Sequence, residues 1–205
     1  METRRTRATP LAPEERRAAI VAATRPLLIE HGSAVTTRLI AEAAGIAEGT
    51  IFRVFADKRE LFHAVAEASV NPPGAQEQMA RELAALPDLP SKLRHVIDRL
   101  AARLQESLLV LMAVRSALLN EPHQPASGPP TFLLEANKAL VDNLTDLLFT
   151  PHAEELRLPP RKAALVLRSL TVGTWMPGLN RGQQPLSTDD VIDILLSGIL
   201  RKDDH

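Results

Sequence analysis

Arg38 and Arg53 stand in the stretch Thr36 to Phe62, TTRLIAEAAGIAEGTIFRVFADKRELF. A guanidinium offers paired donors that can bond O6 and N7 of one guanine together, so these are the side chains best able to read a base. Each serves equally as a phosphate contact or as part of a solvated face. Two short helical patterns hold them. Thr37 to Ala44 places Leu39, Ile40 and Ala43 at helical spacing, and Glu48 to Phe55 sets Ile51 and Phe55 one turn apart as core residues. Glu48, Gly49, Thr50 and Arg53 are left on the other faces. Gly45-Ile46 forms a small turn between the two helices, which is the helix-turn-helix arrangement, whose second helix can enter a major groove. Asp57 then opens a third helix as N-cap, with Glu60 at N3 completing a capping-box pattern.

The composition is that of an ordinary globular chain: 205 residues, 45% hydrophobic, 24% charged, net charge −1. Cysteine is absent, which excludes disulfides and thiolate chemistry. No apolar run reaches the roughly 18 residues of a membrane span, and the arginine-bearing N-terminus has no signal-peptide core, so the expected address is cytoplasmic with no membrane partner. Charge is spread unevenly. Residues 1–66 carry ten Lys and Arg against eight Asp and Glu, an excess owed mainly to Arg4, Arg5 and Arg7.

Residues 1–12 show no apolar period and read as a flexible basic arm, able to reach phosphates or a minor groove, or else a solubilising tail. Pro13 suits helix position N1, with Glu14 and Glu15 in the first turn and Gly32 as the stop after His31. Pro26 inside this helix removes a hydrogen bond and is expected to kink or split it. Asn71-Pro72-Pro73-Gly74 breaks the chain, giving expected domains of 13–70 and 71–205. Beyond the break the pattern predicts helices over 75–86, from an N-cap at Ser91 to Asn120 with a bend near Glu106-Ser107, from Leu133 to near Pro151, over 160–175, and over 188–201. Loops occupy 121–130 and 176–187. No strand pattern and no fixed-period repeat appears, so the fold class is all-α: an N-terminal three-helix domain with the helix-turn-helix, plus a C-terminal helical domain.

The quoted stretch resembles the tetracycline-repressor-like (TetR) family of bacterial regulators through Thr36-Thr37, Ile40-Ala41, Ala44-Gly45-Ile46, Gly49-Thr50-Ile51-Phe52, Phe55 and Lys58 to Leu61. The resemblance extends over about residues 14–66. It implies that Thr37 and Thr50 donate hydroxyls to phosphates, that Lys58 supplies charge at the start of the next helix, and that Gly49 lets the backbone come close. Two positions depart from the pattern. Phe52 stands where tyrosine is usual, and a phenyl ring packs but cannot donate. Ala47-Glu48 stands where serine and a polar or basic residue are frequent; alanine caps poorly, and Glu48 repels phosphate although it can accept from cytosine N4.

The resemblance also implies a C-terminal domain that binds a small molecule and dimerises through its last two helices. Polar groups on apolar stripes, Arg115 among Leu111, Met112 and Leu118 and Asn137 beside Leu133 and Leu140, together with Met112, Phe132, Thr171 and Trp175, are the candidate ligand residues; a structural arginine, a core amide and core filler are the plainer readings. An apolar supply with few charges suits a hydrophobic or amphipathic ligand. Leu167, Leu170, Gly173, Val191, Leu195 and Ile199 are the candidate dimer face. An enzyme is not expected. The six histidines lack metal-ligand spacing, no phosphate-loop, dinucleotide or nucleophile motif occurs, and no metal or cofactor is called for. The expected function is a DNA-binding regulator, a repressor released from an inverted-repeat operator by an effector; the alternative is a helical small-molecule-binding or scaffold protein whose helix-turn-helix has lost DNA contact. Deleting residues 1–9 should leave helicity and melting unchanged while weakening DNA binding, most visibly at low salt. Equal binding at every salt concentration would assign the arm to solubility.

Overall fold

The computed structural model describes residues 12–118, 130–175 and 186–199. Among them every regular element is helical. They form two compact units, one of residues 12–66 with 110–118, the other of 67–109, 130–175 and 186–199. The arm 1–11 and most of the loops expected at 121–130 and 176–187 lie outside the described residues.

In the first unit, helix α1 spans Pro13–His31. Pro13 needs no donor at N1, and the Glu15 carboxylate accepts the Ala12 N–H at 3.0 Å. Gly32 ends the helix with φ 53°, a left-handed angle that glycine adopts without a Cβ clash. The helix does not split at Pro26. Both Pro26 and Ala22, whose carbonyl loses its helical donor, are exposed, so water can satisfy the orphaned group. Helix α2, Thr37–Ala44, is capped by Thr36 Oγ1, which accepts the Leu39 N–H at 3.2 Å, and ends on Gly45 at φ 66°. Helix α3, Glu48–Val54, starts at Ala47 with no side-chain cap. Ile20, Leu28, Ile40, Ile51, Phe55 and Phe62 are buried at this unit's centre. Leu39 and Ala43, grouped with Ile40 by spacing, face solvent instead.

Helix α4, Lys58–Val70, begins with the anticipated carboxylates in a shifted arrangement. Asp57 Oδ1 accepts the Glu60 N–H at 2.7 Å, while Glu60 Oε2 reaches back to the Ala56 N–H at 2.7 Å rather than to that of Asp57. The Ala56 N–H, and next Arg17 at 3.2 Å, hold the Glu60 carboxyl below its usual range, with burial and Asp57 opposing.

The second unit contains α5 (Ala75–Ala84), most of α6 (Leu89–Leu118), α7 (Thr131–Leu144), α8 (Pro160–Trp175) and α9 (Thr188–Ile199). Helix α6 is one element without a break at Glu106-Ser107. Its cap is Asp88, not Ser91: Asp88 Oδ1 accepts the Ser91 N–H at 2.8 Å, and Pro90 sits in the first turn, where its missing donor costs nothing. After α7 the chain passes through a π-helical turn, Thr145–Phe149, that buries Leu148 and Phe149. Helix α9 is tied to α6 by Arg94 on Asp189 and by Thr188 Oγ1 donating to Asp98 at 2.7 Å. The core takes Leu93, Val96 and Ile97 from α6, Leu144 from α7, Leu167 from α8, and Val191, Leu195 and Ile199 from α9.

Glu82 of α5 joins that helix to α6, its Oε2 bonding His95 Nε2 at 2.8 Å and Arg99 Nη1, with Gln78 on its other oxygen at 2.9 Å. The His95 hydrogen bond, then that of Arg99, depresses the Glu82 carboxyl against the cost of burial. A depressed folded-state value stabilises the protein above the unfolded value, and that stability disappears as pH falls through the folded one. Glu82→Gln should therefore lower Tm at neutral pH by about 2–4 °C and converge with the wild type in acid. Equal melting of the two proteins at all pH values would deny the cluster this role.

Candidate functional site

The exposed side of α2 and α3 carries the polar residues of the helix-turn-helix. Thr37, at the first turn of α2, donates through Oγ1 to Glu48 Oε1 at the first turn of α3. The Glu48 carboxylate is thus partnered inside the motif, and Thr37 must leave it before its hydroxyl can serve a phosphate. Arg38 pairs with Glu42 one turn on, at 3.1 Å, with both side chains largely exposed. Such pairs contribute about 0.3–0.5 kcal/mol, so Arg38 is readily recruited by a stronger acceptor. Arg53 is exposed and, among the described residues, has no hydrogen-bond or ion-pair partner.

Arg53 and Thr50 border a surface hollow together with Pro13, Glu14, Arg16, Arg17 and Val54. Three guanidiniums thereby meet at one surface, two of them brought from α1. Arg17 is held in place: it bonds Glu60 and lies over the Phe55 ring at 4.4 Å. Arg16 and Arg17 were not anticipated as site residues, since they lie over thirty residues before Arg53 and only the packing of α1 on α3 makes them neighbours. Lys58 Nζ stands 5.1 Å from the Phe62 ring centroid, its stem half-buried at the start of α4. Phe52 is 51% exposed, an apolar ring presented outward with nothing to donate. A Cβ added to Gly49 would meet nothing within 4 Å, so the chain's own packing makes no demand for glycine there. Arg4, Arg5 and Arg7 lie outside the described residues.

A second candidate site is a cavity of about 220 Å³ within the second unit, bounded by α5, α6, α7 and α8. Its wall is mostly aliphatic, including Leu100, Leu104, Leu133, Leu140 and Leu144, with Arg103, Ser107, Asn137, Asn143, Arg168 and Thr171 among the polar members. Of the six residues anticipated for a ligand, Asn137 and Thr171 are in this wall. Met112 and Arg115 are exposed on the part of α6 belonging to the first unit, while Phe132 and Trp175 are half-buried outside the wall. Two wall residues also bond the end of α4: Ser107 Oγ donates to the Ser69 carbonyl at 2.7 Å, and Arg103 Nη2 to the Val70 carbonyl at 2.9 Å. Burial, and next the neighbouring Arg99, lowers the Arg103 guanidinium from its ordinary value, with Glu106 opposing.

The anticipated dimer residues need a correction of face. Leu167, Val191 and Leu195 are 0% exposed and Ile199 is 1%, all consumed in the core of their own chain. Leu170 is half-buried and Gly173 exposed. The outward apolar residues of α8 and α9 are Leu165, Val166 and Ile194, interspersed with exposed Ser169, Gly173 and Ser197. Periodicity identified two apolar helices but not which side their own chain would cover.

These features define a helix-turn-helix protein with a separate helical unit enclosing a cavity. Residues 20–65 match the family of bacterial regulatory proteins, tetR family. Solved structures extend the likeness of fold across the chain. A transcriptional regulator from Cytophaga hutchinsonii is similar with a TM-score of 0.63 at 17% identity, covering 90% of this chain and 98% of its own. NalD, the secondary repressor of the MexAB-OprM multidrug efflux pump in Pseudomonas aeruginosa, scores 0.53 at 20% identity over 93% and 99%. A complex of SmeT with triclosan scores 0.56 at 20% identity over 91% and 92%. The chain therefore shares its fold with these structures. Arg53→Ala should cost about 1–3 kcal/mol of specific DNA binding and relax preference at one position of each half-site. Lys58→Ala should weaken all sequences alike and reduce the salt slope, and indistinguishable losses from the two would remove Arg53 from base reading.

Proposed function

We propose that this protein is a repressor that binds an inverted-repeat operator as a homodimer and leaves it when a small amphipathic molecule enters the cavity of the second unit. The observation that carries the reading is the end of α4. This helix starts with Lys58 in the DNA-binding domain and finishes at Ser69 and Val70, whose carbonyls are held by Ser107 and Arg103 of the cavity wall. A ligand that engages Arg103 or displaces α6 competes with those bonds. Only a difference in ligand affinity between two arrangements of α4 can shift the protein between them, and these bonds are where such a difference arises. NalD, a repressor, and SmeT, bound to triclosan, support the two halves of the reading.

On the DNA side, Arg53 and Arg38 read bases while Thr50, Lys58, Arg16 and Arg17 take phosphates. Gly49 admits the backbone, and Phe52 contributes apolar contact in place of a hydroxyl. Dimerisation uses the outward side of α8 and α9, where Leu165, Val166 and Ile194 flank small residues that let helices approach closely. The competing reading, a ligand-binding protein with a degenerate helix-turn-helix, draws on the Thr37–Glu48 bond, which occupies both groups away from DNA. Selecting DNA fragments with the purified protein separates the two. An inverted repeat bound with a steep salt dependence supports the repressor, and no enrichment supports the degenerate motif. Ile194→Glu should retain wild-type melting, sediment as a monomer and lose tight operator binding, whereas Leu195→Glu should unfold the second unit. A dimer undisturbed by Ile194→Glu would place the interface elsewhere.

A further inference from the structure

The cavity carries an asymmetry of charge that the effector reading alone does not use. Arg168 of α8 and Arg103 of α6 both contribute to its wall, and no aspartate or glutamate is among the described wall residues. Arg168 is half-buried and, among the described residues, has no hydrogen-bond or ion-pair partner. Nearby acids are engaged elsewhere: Glu82 with His95 and Arg99, Asp142 with Lys138 and Arg161. Both wall hydroxyls are committed as donors, Ser107 to the Ser69 carbonyl and Thr171 to the Leu167 carbonyl at 2.9 Å. Glu106, which is not in the wall, acts on Arg103, so the charge of Arg168 is the one left to whatever enters the chamber. A guanidinium carries five N–H donors, so Arg103 keeps several after spending one on Val70. The remaining wall is largely aliphatic, suited to an alkyl or aryl body.

We infer that the effector is a small organic anion, an apolar body bearing one carboxylate or comparable planar acid, whose head is bound by Arg168 and Arg103. A carboxylate matches the guanidinium fork in bidentate fashion, and such charge-assisted bonds strengthen where water is scarce. The inference rests on the effector reading and narrows it. The same head draws Arg103 from the Val70 carbonyl, which links recognition of charge to release of α4. At about 220 Å³ the chamber falls below the roughly 300–1,000 Å³ of typical ligand sites, which favours short molecules over long-chain ones.

Three probes with one tail and different heads decide the matter: octanoate, octan-1-ol and octylammonium, titrated calorimetrically into the full-length protein at neutral pH, with operator release followed in parallel. Octanoate should bind at least about 10-fold more tightly than octanol, and octylammonium most weakly. Arg168→Gln should bring octanoate down to the level of octanol while leaving octanol and the circular dichroism spectrum unchanged, and Arg168→Lys should restore part of the preference. Octanol binding as well as octanoate, or octanoate binding indifferent to Arg168→Gln, overturns the anion inference; if these probes still release the operator, the effector reading stands. Arg168-dependent octanoate binding without operator release upholds the anion site and sinks the effector reading. No binding by any probe to a protein of native helicity overturns both.

Discussion

A helix leaves its first N–H groups and its last C=O groups without internal partners, and each must be satisfied from elsewhere or remain in water. Helix α4 shows what that constraint builds here. Its first turn is held by Asp57, by Glu60 reaching Ala56, and through Glu60 by Arg17, which also lies over Phe55 of the DNA-binding core. Its last carbonyls are held by Ser107 and Arg103. At the last turn, the groups that end the helix also border the cavity. A residue of the basic surface steadies one end, and two residues of the cavity wall steady the other.

The DNA face is made of groups in different states of readiness. Arg53 is unengaged among the described residues, Arg38 is in a weak exposed pair, and Thr37 is bonded to Glu48. Binding DNA exchanges such internal bonds for external ones, so only the difference counts toward affinity. Glu48 sharpens the point. Its carboxylate opposes phosphate, yet at the start of α3 it complements the helix dipole and joins α2 to α3 through Thr37. Phe52 presents an exposed ring that can pack but cannot donate to a phosphate.

The cavity follows a comparable logic of leftover groups. Leu93, Val96, Leu167, Val191 and Leu195 fill the second unit's core between α6, α8 and α9, and the chamber lies between α5, α6, α7 and α8, where polar residues interrupt a mostly aliphatic wall. Close packing leaves few voids of this size in a protein interior, so a chamber with guanidiniums at its edge is a departure from the rule that the rest of the unit obeys.

What the sequence determined by itself was local. The bounds of α1, the short α2 and α3 with the Gly45 turn between them, and the core roles of Ile51 and Phe55 all follow from interactions within a few residues, which a single sequence displays. The all-α class followed from the same periodicity. Tertiary structure decided the questions of partnership. Solvent around Ala22 is what lets Pro26 sit within α1, and the choice of Asp88 over Ser91 as cap depends on where the chain enters α6. Arg16 and Arg17 join Arg53 only because α1 packs on α3. Arg103 and Arg168 come together only because α6 and α8 face one chamber. The same cause explains Leu167, Val191, Leu195 and Ile199. An apolar stripe states that a helix side must be covered, but the burial energy is the same whichever neighbour covers it, and in this protein the chain covers them itself.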